Sequence, residues 1–146
     1  MNDAHLHLLV NHFPIIGSIF GLGILITGIA LKNKTVKHVA FVLFGIVAVF
    51  TFVSMQTGEG AEEIVEEMKI SHDLLHEHEE LAEKFAVISY LTGASALFAL
   101  ILSLKNSKKT KFLNWLTLLL AIASVVFGKY TGTSGGEIMH TEIREQ

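Results

Sequence analysis

Residues 39–57 read VAFVLFGIVAVFTFVSMQT, nineteen positions without a charged side chain. At about 1.5 Å of rise per residue, such a run covers ~30 Å as a helix, the thickness of a bilayer's hydrocarbon core. Three further runs of similar length and character lie on either side of it, at 13–31, 85–104 and 112–130, and the single charge among them is Lys129. These runs explain why a chain of 146 residues is 51% hydrophobic with a mean hydropathy of +0.52. A soluble domain rarely reaches that hydropathy. The predicted fold is all-α: an integral membrane four-helix up-and-down bundle, a single four-span domain over 1–146. Little chain remains outside the spans for a soluble catalytic domain. With no cysteine, disulfides, cysteine-held iron–sulfur clusters, thiolate copper or zinc sites and covalent c-type haem are excluded.

Four spans place the 32–38 and 105–111 loops on one side, and both termini with the 58–84 connection on the other. The two loops hold Lys32, Lys34, Lys37, Lys105, Lys108, Lys109 and Lys111, seven of the eleven basic residues, and no acid. All fourteen Asp and Glu fall on the opposite side. The positive-inside rule makes the lysine loops cytoplasmic and the acidic side extracytoplasmic, as in a bacterial inner membrane. Lysines confined to short loops form no nucleic-acid patch. The stretch before the first span has no basic residue and no small-residue cleavage site follows, so it reads as a retained anchor.

Seven of the eight histidines (His5, His7, His12, His72, His76, His78 and His140) share the acidic side, and only His38 lies with the lysines. That partition directs the search for function to the acidic end.

Pro14 lacks an N–H, so it either sits in the first turn of the first span or kinks a helix begun nearer Ala4. Either way His12 is held at the membrane boundary. Gly17 and Gly21 form a small-xxx-small pair suited to close helix packing. Trp115 and Tyr130 stand near the ends of the fourth span, as in an interfacial aromatic belt. Gly58-Glu59-Gly60 reads as a break, followed by a short extracytoplasmic amphipathic helix over 61–69 with Ile64, Val65 and Met68 on its apolar side. Ser71 is a candidate N-cap for a helix that continues into the third span. At 100° per residue this helix carries His76, Glu79, Glu80 and Glu83 on one face, whereas His78 falls amid Leu74, Leu75, Leu81 and Phe85. His72 and His76, at i and i+4, have metal-clamp spacing on a solvated acidic face. His78, His12 and His140 come from three elements at one membrane face, and ionisable groups near the apolar zone are expensive and commonly functional.

The stretch His7-Leu8-Leu9-Val10-Asn11-His12-Phe13-Pro14-Ile15 resembles the H-P-L-L-V-H-F-P-I opening of a widespread family of small four-span bacterial membrane proteins of unknown function. The resemblance continues through Gly58-Glu59-x-Ala61-Glu62 and His78-Glu79-Glu80-x-Ala82 to Gly135-Gly136-Glu137-Ile138-x-His140-x-Glu142, and so covers the chain in order. Leu8 stands where that family has proline, and His140 replaces the tyrosine of its common G-G-x-L-V-Y close. Related domains occur fused to Rieske or cytochrome c modules, which implies a redox setting.

Three functional readings follow. In the first, His12 with His78 or His140 ligates a b-type haem, and the protein passes electrons between a quinone or a redox partner protein and the extracytoplasmic side. In the second, His12, His78 and His140, with His7, His72, His76, Glu79 and Glu142 available around them, hold a Cu, Zn or Fe ion for metal binding or sensing. In the third, the chain is a structural accessory subunit of a larger membrane complex. A homo-oligomer is compatible with each. No Gly-rich phosphate loop, G-x-S-x-G or H-E-x-x-H is present, so catalysis is not the expectation.

Overall fold

The computed structural model describes residues 2–67, 71–140, 142 and 144. The described residues form five helices: α1 (Asp3–Val10), α2 (His12–Ala30), α3 (Lys34–Glu67), α4 (His72–Leu104) and α5 (Thr110–Met139). Four stretches are long and apolar enough to cross a membrane: Asp3–Ala30, Lys34–Ala61, His72–Leu104 and Thr110–Ile138. Helices α2 to α5 alternate in direction and form a closed ring, each packed on its sequence neighbour, with α5 returning against α2. Helix α1 lies along α3. This is the expected all-α four-helix bundle.

Small residues decide how closely the helices approach. A Cβ at Gly17 would stand 2.6 Å from Val47, and one at Gly21 would stand 2.7 Å from the Phe44 ring. The glycine pair of α2 is therefore filled from α3 within the bundle. Phe41 and Phe44 are fully buried beside Leu25, Ala96, Ala99 and Ala121. Large side chains such as Phe20, Phe98 and Leu119 point outward, as a lipid-facing surface requires. Buried hydroxyls pair across helices, Thr51 with Ser89 at 2.8 Å, Thr92 with Ser124 at 3.0 Å and Ser95 with Thr117 at 2.8 Å. Without water in the bilayer core, such groups must find partners inside the protein.

The two turns at the lysine end share one design. Helix α2 ends in Lys32 at φ 51°, with Lys32 N–H donating to Ile29 O and Asn33 N–H to Gly28 O. Helix α4 ends in Asn106 at φ 51°, with Asn106 N–H donating to Ser103 O and Ser107 N–H to Leu102 O. Both are Schellman closures that satisfy the last carbonyls. The Lys34 ammonium donates to Asn106 Oδ1 at 2.8 Å and ties the turns together.

One element at the acidic end differs from expectation. Gly58-Glu59-Gly60 does not break α3, which runs without interruption to Glu67. Residues 68–70, and the side chains of Ile64, Val65 and Met68 assigned to an apolar face, lie outside what is described. The helix leading into the first span begins at Asp3, nearer Ala4 as expected, and is interrupted at Asn11, which keeps helical dihedrals and donates its N–H to His7 O. Pro14 cannot donate to the carbonyl of Val10 and its ring would crowd it, so the helix restarts, with Pro14 buried in the first turn of α2.

Candidate functional site

The break at Asn11 lets α1 lean onto α3. Asn2 caps α1 by accepting the His5 N–H at 3.1 Å. Gly58 and Gly60 make the seat. A Cβ at Gly60 would lie 2.7 Å from Cβ of Asp3, and one at Gly58 would lie 3.3 Å from the His7 ring. Only glycine lets α1 lie this close.

His7 is half-buried, and its Nδ1 lies 3.0 Å from Ser54 O and 3.3 Å from Thr57 Oγ1. The Thr57 hydroxyl has one proton, directed at the carbonyls of Val53 (2.9 Å) and Ser54 (3.1 Å) on its own helix. A carbonyl can only accept, and this hydroxyl has already spent its proton. Nδ1 of His7 therefore carries the hydrogen, and in the neutral ring Nε2 keeps a free lone pair.

His78 repeats the arrangement between α4 and α5. Its Nδ1 lies 3.0 Å from Ser134 Oγ, and that hydroxyl donates to Thr131 O at 3.1 Å. With its proton on Thr131 O, Ser134 Oγ accepts from His78 Nδ1–H, the tautomer that leaves Nε2 free. A Cβ at Gly135 would stand 2.9 Å from Cε1 of the ring. Thr131 locks the same turn by donating to Leu81 O at 3.1 Å and to Phe127 O at 3.0 Å. His7 is thus held between α1 and α3, and His78 between α4 and α5, at the same end of the bundle.

The other predicted site residues occupy different surroundings. His12 is exposed, at the rim of an outer groove of about 300 Å³ between α2 and α3. Phe13, Phe20 and Phe50 line that groove, and Phe13 stacks on Phe50 with ring centroids 4.9 Å apart. His140 is exposed beyond α5, with Nδ1 2.9 Å from Glu142 Oε1. The Glu142 carboxyl is held below the usual range, first by its own backbone N–H and then by His140. His72 and His76 are exposed on α4, with His76 3.9 Å from Glu79 and 3.6 Å from Glu80. Among the described residues, no three His, Asp or Glu side chains come together as a metal-holding group. At the opposite end His38 Nε2 meets Ser103 Oγ at 2.8 Å and joins α3 to α4.

The anchoring residues Ser54, Thr57, Gly58, Thr131, Ser134 and Gly135 did not figure among the predicted site residues. A signal for them existed: Phe50-x-x-x-Ser54-x-x-Thr57-Gly58 and Phe127-x-x-x-Thr131-x-x-Ser134-Gly135 repeat one spacing at the ends of the second and fourth spans. No family model, curated protein or solved structure matches this chain.

Proposed function

We propose that this chain is a membrane redox protein that holds a b-type haem at its acidic end through His7 and His78. The observation that carries the reading is the matched pair of half-buried imidazoles, each tied to the protein at Nδ1, which as Nδ1–H tautomers would keep Nε2 as a lone pair. Ligating histidines characteristically donate their other ring N–H to a carbonyl or hydroxyl, which fixes the ring and raises its basicity. Two such donors match the two axial positions of a haem, whereas a closed zinc site takes about four ligands. Ile15 and Phe85, packed against Gly128 and Gly132 of α5, supply apolar surface on the same side of the bundle. A haem bound there would supply one-electron transfer. The chain's own residues would orient the imidazoles and keep water from them.

The charge asymmetry supports an inner-membrane location with this end extracytoplasmic, facing a redox partner protein or a quinone. The likeness to four-span domains found beside Rieske and cytochrome c modules favours the same setting. His140 and His12 then lie outside the ligand pair. A second reading, a Cu, Zn or Fe ion held by imidazoles, draws on the nearness of His12 to His7.

The test is an optical spectrum of the detergent-purified protein from haem-replete cells, oxidised and then dithionite-reduced. A Soret band with sharp reduced α and β bands, lost in His7→Ala and in His78→Ala but kept in His140→Ala, is the expected result. A featureless wild-type spectrum overturns the haem reading, and elemental analysis of that sample then decides for or against the bare ion.

A further inference from the structure

The two hairpins, α1/α2–α3 and α4–α5, share more than their direction. Both turn at the lysine end through the same Schellman closure with a left-handed residue, Lys32 or Asn106. Of the three histidines on each first leg, one (His7 or His78) is anchored across the hairpin, at the same ring nitrogen. The anchor on the second leg is the same triplet: a Ser or Thr carbonyl, a hydroxyl three residues on, and a glycine four residues on. In both, the hydroxyl donates back to that carbonyl at 3.1 Å. In both, the glycine faces Cε1 and Nδ1 of the histidine. Counting from the left-handed residue, His7 is 25 positions away and Ser54 is 22, whereas His78 is 28 and Thr131 is 25. Each leg of the second hairpin is thus three residues longer. An equal insertion on both legs keeps histidine and anchor level across the hairpin. Unrelated helix packing has no reason to preserve that correspondence.

We infer that the protein is a duplicated hairpin, and that Thr57 and Ser134, with Gly58 and Gly135, are equivalent positioning residues that present His7 and His78 as one pair to a single ligand shared between the halves. Each half supplies one anchored imidazole, and among the described residues no three His, Asp or Glu side chains gather around either ring. A ligand with two equivalent axial positions satisfies both halves at once. The hydroxyls do not touch that ligand. They act through the rings, Ser134 alone at His78 and Thr57 beside the Ser54 carbonyl at His7, because an acceptor at Nδ1 selects the tautomer whose Nε2 can bind. The identity of the ligand as haem rests on the function proposed above, but the tautomers do not.

The experiment has two readouts on the full-length protein. The first is ¹⁵N NMR of the histidine rings in ligand-free protein in detergent, for wild type, Thr57→Val and Ser134→Ala. Wild type is expected to show His7 and His78 as Nδ1–H tautomers. Ser134→Ala, which removes the hydroxyl at His78 Nδ1, is expected to shift His78 toward Nε2–H and leave His7 unchanged, with Ser134→Thr restoring the wild-type state, whereas Thr57→Val leaves the Ser54 carbonyl to hold the Nδ1–H tautomer of His7 and is expected to move neither ring. A His78 tautomer that does not move in Ser134→Ala, or a His7 tautomer that moves in Thr57→Val, overturns the positioning roles. The second readout is titration with haem b. One haem per chain, abolished by either His7→Ala or His78→Ala and weakened about 10-fold by either hydroxyl variant, is the expected result. Two haems per chain, or half the binding surviving in each histidine variant, overturn the shared site. If haem does not bind at all, the proposed function and the shared ligand fall together, and the tautomers still decide the positioning residues.

Discussion

At the scale of single residues, the site depends on where a side chain is missing. His78 lies against Gly135, where a methyl group would come within 2.9 Å of Cε1 and 3.4 Å of Nδ1. Gly135→Ala is therefore expected to push the ring away from Ser134. Overpacking of this kind costs about 1–3 kcal/mol. Gly21→Ala should cost a similar amount for a different reason, since its methyl meets the buried Phe44 ring at 2.7 Å. Gly23 has nothing within 4 Å of its notional Cβ, so Gly23→Ala is the control that should leave stability unchanged or improve it. Thermal melts in detergent with haem binding on the same samples separate the cases. Gly135→Ala should lose ligand and stability, Gly21→Ala stability alone, and Gly23→Ala neither. Equal losses at Gly23 and Gly135 would show that the His78 packing is not the cause. A sequence states that glycine stands at 135, but not which ring lies opposite. That is why His78 was legible from its place on an apolar face while its anchor was not.

At the scale of elements, the informative piece is α1. Long uncharged apolar runs identified the spans because lipid demands an apolar side chain at nearly every outward position. The acidic end is ruled by tertiary contacts that no local pattern encodes. Two glycines in three residues cost a helix about 1 kcal/mol each, which reads as a break at Gly58-Glu59-Gly60. The helix persists there, and the same glycines form the surface on which Asp3 and His7 sit. Docking of α1 gives back what the glycines cost. The break lies instead at Asn11, imposed by Pro14. It follows that Pro14→Ala should let α1 and α2 join into one straight helix and carry His7 off its seat. The absence of cysteine from the chain makes this directly testable. In Asp3→Cys/Gly60→Cys the two Cβ atoms start about 1 Å closer than the ~3.8 Å of a typical disulfide, a gap that a surface helix can relax. Oxidation should cross-link that pair efficiently with Pro14 present and poorly with Pro14→Ala. Cross-linking that ignores residue 14 would show that the proline does not set the position of α1.

At the scale of the whole molecule, two asymmetries must be reconciled. The hairpins are alike along the chain, yet the ends of the bundle differ completely, with seven lysines and no acid in the two turns and every Asp and Glu at the other end. A duplicated hairpin produces this pattern without further assumption. Both copies turn at the same end, so whatever chemistry suits one turn is doubled there, and the histidine of each copy is delivered to the other end. The charge bias was legible because it is additive over residues. The duplication was not, because its marks are a spacing shared by two short motifs and a φ angle shared by two turns. The lysines carry the expected orientation, since they resist translocation, and the orientation decides which compartment the proposed histidine pair serves. Single cysteines at Ser71, at the acidic end, and at Ser107, in the second turn, give the measurement. In intact spheroplasts a membrane-impermeant maleimide should label Ser71→Cys, and should label Ser107→Cys only after permeabilisation. The reverse pattern would place His7 and His78 on the cytoplasmic side. Their partner would then have to be a cytoplasmic donor or acceptor, and the extracytoplasmic role proposed here would fail even with haem bound.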